Sequence, residues 1–148
     1  MRIDRLFLGI ATLLATLAGC SSKEEQPSVN DNESFGKYVS GTLPYQMKKI
    51  AADNGSKPML VIYLHGGSSK GNDNETQMKE AAVNVIHEYL SDNSIPSIFI
   101  VPQCPSTGSW GAKMNESLAN LIGEYEDSCD GVYVLGGSMG GTGTWSLA

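Results

Sequence analysis

Ser138 stands in Gly136-Gly137-Ser138-Met139-Gly140-Gly141, a G-x-S-x-G pattern between an apolar stretch ending at Leu135 and a segment able to begin a helix. A serine hydroxyl is a weak nucleophile, so to react it must project from a tight turn towards a base. The surrounding glycines suit such a turn, which leaves no room for side chains against neighbouring backbone. A helix starting directly afterwards aims its free amides and positive dipole end at the same point, favouring charge that develops there. The implied chemistry is nucleophilic attack on an acyl group; the plain alternative is an ordinary glycine-rich turn. Phosphate binding fails on detail. Residues 136–142 have no lysine where a phosphate-binding loop needs one, and Gly141-Thr142-Gly143 lacks the third glycine of a dinucleotide fingerprint.

A second cluster, His65-Gly66-Gly67-Ser68-Ser69, directly follows the run Met59–Leu64. That run is continuously apolar and flanked by turn residues, as expected of a strand buried on both faces. Residues 97–101 make a second such strand, stopped by Pro102; residues 131–135 form a third strand, ended by Gly136-Gly137 and expected to be left as an apolar edge. Helical spacing covers 76–92, with Asn72, Asp73 and Asn74 as caps and Met78, Ala81, Ala82, Val85 and Tyr89 on one stripe. A further helix is predicted over 114–125 with Leu118, Leu121 and Ile122 inward, and residues 140–148 can begin another. Residues 35–43 alternate weakly and suit one first strand. Strand and helix alternating through short connections predict an α/β fold with a mainly parallel sheet covered on both sides. In such sheets chemistry gathers beyond the carboxyl ends of the strands, where both glycine clusters fall.

Leu64-His65-Gly66-Gly67 and the stretch 136–145 resemble the esterase, feruloyl-esterase and polyhydroxybutyrate-depolymerase-like branch of the α/β-hydrolases. Val101-Pro102-Gln103-Cys104-Pro105 and Trp110 are similar to that branch's Pro-Gln-Cys-Pro…Trp stretch, so the resemblance runs from Tyr38 to Ala148. It implies the α/β-hydrolase fold, as an incomplete three-layer sandwich, and a carboxylic ester hydrolase working through an acyl-enzyme. Ser138 would be the nucleophile, and the backbone N–H groups of Met139 and Gly67 the oxyanion hole. His65, Gly66, Gly136 and Gly140 would organise the two loops, and no metal or organic cofactor is implied. His87, beside Glu88 on the polar side of its helix, is expected to be a solvated surface residue. The family's acid and base follow the nucleophile in the order Ser…Asp/Glu…His. Only ten residues follow Ser138 and none is Asp, Glu or His, so 35–148 is expected to be the N-terminal part of such a domain and inactive as it stands. Two departures stand out: Gly131-Val132-Tyr133 lacks the family's arginine entering the elbow strand, and Gly137 replaces a common Leu or Phe, a change expected only to loosen packing. A prolyl-oligopeptidase-type serine peptidase shares fold and elbow, and a non-catalytic lipoprotein fragment is the rival from another class.

Residues 1–19 carry a basic start and a run of about a dozen apolar residues, too short to span a bilayer but right for a secretory signal. Leu17-Ala18-Gly19-Cys20 resembles the lipobox of bacterial lipoproteins, which implies cleavage before Cys20 and lipidation of its thiol. Several acyl chains at about 0.8 kcal/mol per buried CH₂ make a lasting anchor. The polar segment 20–34 reads as a disordered tether. Ser21 after the lipidated cysteine suits an outer membrane, and an exported, surface-held enzyme suits an acylated polysaccharide. Removing 1–19 takes two arginines and one aspartate from the 10 basic and 16 acidic residues, leaving 8 against 15 and no arginine at all. Nucleic acid is a poor partner for such a domain, because its binding rests on cationic contacts to phosphate. Cys104 and Cys129 would meet an oxidising compartment, as a disulfide or as two separate thiols.

Overall fold

The computed structural model describes residues 34–51 and 55–148. The expected signal peptide, Cys20 and nearly all of the tether lie outside the described residues. Five strands form one sheet: β1 (Gly36–Ser40), β2 (Leu43–Ile50), β3 (Met59–Leu64), β4 (Ser97–Pro102) and β5 (Gly131–Gly136). Their order is β1-β2-β4-β3-β5. The pairs β4–β3 and β3–β5 are parallel, whereas β1–β2 and β2–β4 are antiparallel. The sheet is therefore mixed, with its parallel part under the glycine clusters.

The single first strand expected over 35–43 is instead a hairpin, which turns at Gly41 with φ +56 and continues as β2. Leu43, Tyr45 and Met47 alternate into the core, but Pro44, Lys48 and Lys49 interrupt the apolar signal that would mark a strand in sequence. β3 and β4 lie inside the sheet, and nearly every side chain of both is buried. β4 runs on through Pro102, which pairs with Tyr45.

Side-chain alternation divides the core into two layers. Leu60, Ile62, Leu64, Ile98 and Ile100 face one side, with Leu118 and Leu121 of helix α2 (Ala112–Gly123) and Leu147 of helix α3 (Met139–Leu147). Val61, Tyr63, Phe99 and Val101 face the other, with Val83 and Leu90 of helix α1 (Ala81–Asp92). Each fully buried aliphatic side chain contributes roughly 1.5–3 kcal/mol, so both faces hold their helices.

The helix expected over 76–92 is broken. Thr76–Lys79 is a 3-10 turn, Glu80 is extended at φ −70 and ψ 131, and α1 starts at Ala81. The break changes the phase of the buried stripe. Val83, Ile86 and Leu90 pack inward, while Val85 and Tyr89 are 63% and 62% exposed. His87 is not solvated as expected: it is half-buried, with its ring 5.4 Å from that of Phe35. Burial, with Lys48 nearby, holds its pKa below the ordinary value. Cys104 and Cys129 are separate free thiols, the first buried and the second half-buried. Among the described residues no helix is long and apolar enough to cross a membrane.

Candidate active site

β5 ends at Gly136 and α3 begins at Met139, leaving Ser138 exposed at the corner between them. Its backbone sits at φ 51 and ψ −115, a region that an L-residue enters only under strain of roughly 1–3 kcal/mol. The glycines around it permit the tight approach of α3 to the strand ends. A β-carbon at Gly140 would lie 1.8 Å from the Leu64 carbonyl oxygen, and one at Gly136 would lie 2.3 Å from the Gly140 backbone. One at Gly143 would lie 2.4 Å from Trp110 Cβ. Gly137, expected only to loosen packing, is also confined, since a β-carbon there would be 2.8 Å from the Tyr63 hydroxyl.

The turn after His65 lies against this corner. A β-carbon at Gly66 would be 3.8 Å from Ser138 Cβ, and one at Gly67 would be 3.9 Å from Met139 Sδ. Met139 begins α3 and Gly67 begins the 3-10 turn Gly67–Ser69, so each amide precedes the first internal hydrogen bond of its element. Among the described residues neither amide has a hydrogen-bond acceptor.

His65 is fully buried, and both its nitrogens are engaged. Nε2 accepts the Cys104 N–H at 2.9 Å, which leaves the proton on Nδ1 to be donated to the Gly66 carbonyl at 2.7 Å. Burial lowers its pKa, against smaller opposing effects of the Gly66 hydrogen bond and Glu80. A neutral imidazole with both nitrogens in use fixes a loop and cannot accept a proton from Ser138. The Pro-Gln-Cys-Pro…Trp stretch supports the same turn. Trp110 Nε1 donates to the His65 carbonyl at 2.9 Å, and its ring meets the imidazole edge-on at 5.2 Å. The buried Gln103 binds Asp73 Oδ1 through Nε2 at 2.6 Å and receives the Asn74 N–H on Oε1 at 2.7 Å. Asp73 also accepts the Glu75 and Thr76 amides at 3.0 Å each; the bond from the Thr76 hydroxyl, then that from Gln103 and these two amides, hold its carboxyl well below the usual range.

Glu80 and Tyr63 carried no signal in sequence, one lying inside an apparent helix and the other inside an apolar run. Glu80 Oε1 accepts the Gly66 N–H and the Ser69 hydroxyl, each at 2.7 Å, and Oε2 accepts the Tyr63 hydroxyl at 2.8 Å. Burial alone would raise this carboxyl, but the three hydrogen bonds and the nearby His65 bring its pKa below the ordinary value. Among the described residues no group of three or more His, Cys, Asp or Glu is placed to hold a metal ion.

Fold and corner together define an α/β protein with a five-stranded mixed sheet, helices on both faces, and a strained serine where a parallel strand meets a helix. This fold resembles that of a thermostable esterase known from its crystal structure, with a TM-score of 0.58 and 24% identity. The match covers 76% of this chain and 36% of that one, so the chain spans little more than a third of the esterase's length. No protein-family model matches the chain. No curated protein matches it either.

Proposed function

We propose that this chain carries the nucleophile and oxyanion-binding part of a serine hydrolase of the α/β-hydrolase kind, acting on carboxylic esters. The observation that carries the proposal is the strained Ser138 backbone, at φ 51 and ψ −115, set beside two unpaired amides. Strain of this kind persists only where the surrounding structure imposes it, and the Leu64–Gly140 approach does so here. Ser138 Oγ attacks the ester carbonyl, and its proton passes to a base supplied from outside the described residues. The carbonyl oxygen gains negative charge, which the N–H groups of Met139 and Gly67 receive. One such donor lowers the barrier by roughly 3–4 kcal/mol. Collapse breaks the ester C–O bond, the alcohol departs, and water releases the acid from the acyl-enzyme.

Imidazole can stand in for the base. With p-nitrophenyl acetate and imidazole, Ser138 Oγ forms the acetyl bond, p-nitrophenolate leaves, and imidazole takes the hydroxyl proton. Mass spectrometry of the digested chain is expected to find the acetyl group on the Ser138 peptide and to lose it in Ser138→Ala. Acetylation spread equally over other surface serines would overturn the proposal. The corresponding anilide is expected to react far more slowly, whereas a peptidase of the prolyl-oligopeptidase type would accept it. We place the protein on a bacterial membrane surface through a lipid on Cys20, with an acylated polysaccharide as substrate. Radiolabelled palmitate incorporated in a bacterial host, and lost in Cys20→Ala, is the result expected of that anchor.

A further inference from the structure

We propose that Glu80 is the positioning residue of the oxyanion-binding turn, its carboxylate tying down Gly66 N–H and Ser69 Oγ so that Gly67 N–H is the loop donor left for substrate. The proposal rests on the nucleophile assignment above and adds the residue that decides which loop amide is available. Oε1 takes two donors from the turn at 2.7 Å each, while Oε2 is braced by Tyr63 Oη at 2.8 Å. Gly66 N–H is therefore occupied, and the turn is fixed at both ends, by its amide at 66 and its hydroxyl at 69. A β-carbon at position 66 would come within 3.2 Å of Oε1, so the glycine there lets the carboxylate approach.

Backbone geometry shows why residue 80 can reach the turn. Glu80 occupies the cap position of α1, where a short polar side chain ordinarily bonds the first helical amides. Its side chain makes no such bond, and its extended backbone at φ −70 and ψ 131 carries it to the loop instead. The break between the 3-10 turn and α1 is thus the feature that delivers a carboxylate to the site. Hydrogen bonds to an ionised acceptor are short and strong, which suits a clamp on a two-glycine turn. The ionisable groups facing the carboxylate are Tyr63 on β3 and His65 in the loop. Burial and the bond to Glu80 push Tyr63 up to about 12, and burial pushes His65 down.

The test combines amide NMR on the full chain with the acetylation assay. The Gly66 amide is expected to shift with a single acid-side titration, which Glu80→Gln and Glu80→Ala both abolish. The Ser69 amide donates to the Gly66 carbonyl across the turn at 3.2 Å, and its exchange is expected to rise roughly tenfold or more in Glu80→Ala, as local opening becomes easier. Glu80→Gln keeps the acceptor at Oε1 and is expected to stay near wild type in exchange. Ser138 acetylation with imidazole is expected to fall about tenfold in Glu80→Ala, the loss of part of one oxyanion donor, and to recover in Glu80→Gln. Should Glu80→Ala fail to fold, Ser69→Ala removes one of the two turn bonds and is expected to raise exchange of the position-69 amide by a smaller factor. Wild-type exchange of the position-69 amide in a folded Glu80→Ala or Ser69→Ala variant would overturn the clamp. Absence of acetylation in the wild type, with the NMR behaviour intact, would overturn the nucleophile assignment and leave the clamp standing.

Discussion

Gly140 lies so close to Leu64 that a β-carbon at 140 would stand 1.8 Å from the Leu64 carbonyl oxygen. The obstacle is backbone of the interior strand β3, which no rotamer change can move. This contact holds α3 against the sheet and brings the Ser138 corner to the end of β3, where the turn after His65 begins.

Gly140→Ala is therefore expected to cost about 3 kcal/mol or more, at the upper end of overpacking effects. Gly123 ends α2 and has no atom within 4 Å of an added β-carbon. Gly123→Ala is expected to gain about 0.5 kcal/mol from helix propensity. Urea unfolding of the two variants checks both signs, and a Gly140→Ala protein of wild-type stability would contradict the close approach.

Strain at residue 138 predicts an ordering of variants. Ser138→Ala keeps a side chain at φ 51, whereas Ser138→Gly relieves it. The glycine variant is expected to be about 1 kcal/mol more stable than the alanine variant, although glycine normally disfavours folding through its unfolded-state freedom. Equal midpoints in denaturant would mean that the corner stores no strain.

Acid is expected to weaken the fold in two windows, through His65 with His87 in the first and Glu80 with Asp73 in the second, all acting in the same direction. Stability rises with pH wherever the unfolded chain binds more protons than the native one. His65 is held neutral by burial, so below about 6.5 the unfolded chain takes a proton that the native state resists. Glu80 sits below its ordinary value in the native state, so its contribution is present above the ordinary glutamate pKa and is lost as pH falls through the native one. Thermal unfolding between pH 7 and about 2 is expected to show Tm falling in two stages, the second of them below the ordinary glutamate pKa. His65→Gln should lower Tm at pH 7 and flatten the first stage. An unchanged slope in that variant would assign the first stage elsewhere.

The two tryptophans report on opposite situations. Trp110 is 3% exposed and Trp145 is 87% exposed. Acrylamide is expected to quench one population readily and the other hardly at all, and Trp145→Phe should leave only the protected one. Trp110→Phe leaves the buried His65 carbonyl without its donor, at a cost of about 1–3 kcal/mol. Uniform quenching of the wild type would place Trp110 outside the core.

What the sequence determined by itself was local. β3 and β4 were legible because strands buried on both faces need unbroken apolar runs. β5 was legible because its run is apolar too, although it lies at the sheet edge with Val132, Tyr133 and Leu135 exposed, and the Ser138 corner because a tight strand-to-helix turn needs glycine on both sides of its serine. Those requirements act over a few neighbouring residues, so composition and spacing carry them. Only the tertiary structure decided the rest. β2 joins β4 antiparallel although Pro44, Lys48 and Lys49 obscure its alternation, because a strand is defined by the partner it meets. The reach of Glu80 to Gly66 and the use of His65 Nε2 depend on groups 14 and 39 residues apart in the chain. A glutamate in a helical pattern reads as a solvated face until the fold sets a buried amide and two hydroxyls around it. Long-range hydrogen bonding of that kind leaves no periodicity in sequence, and for this chain it is what fixes the turn beside Ser138.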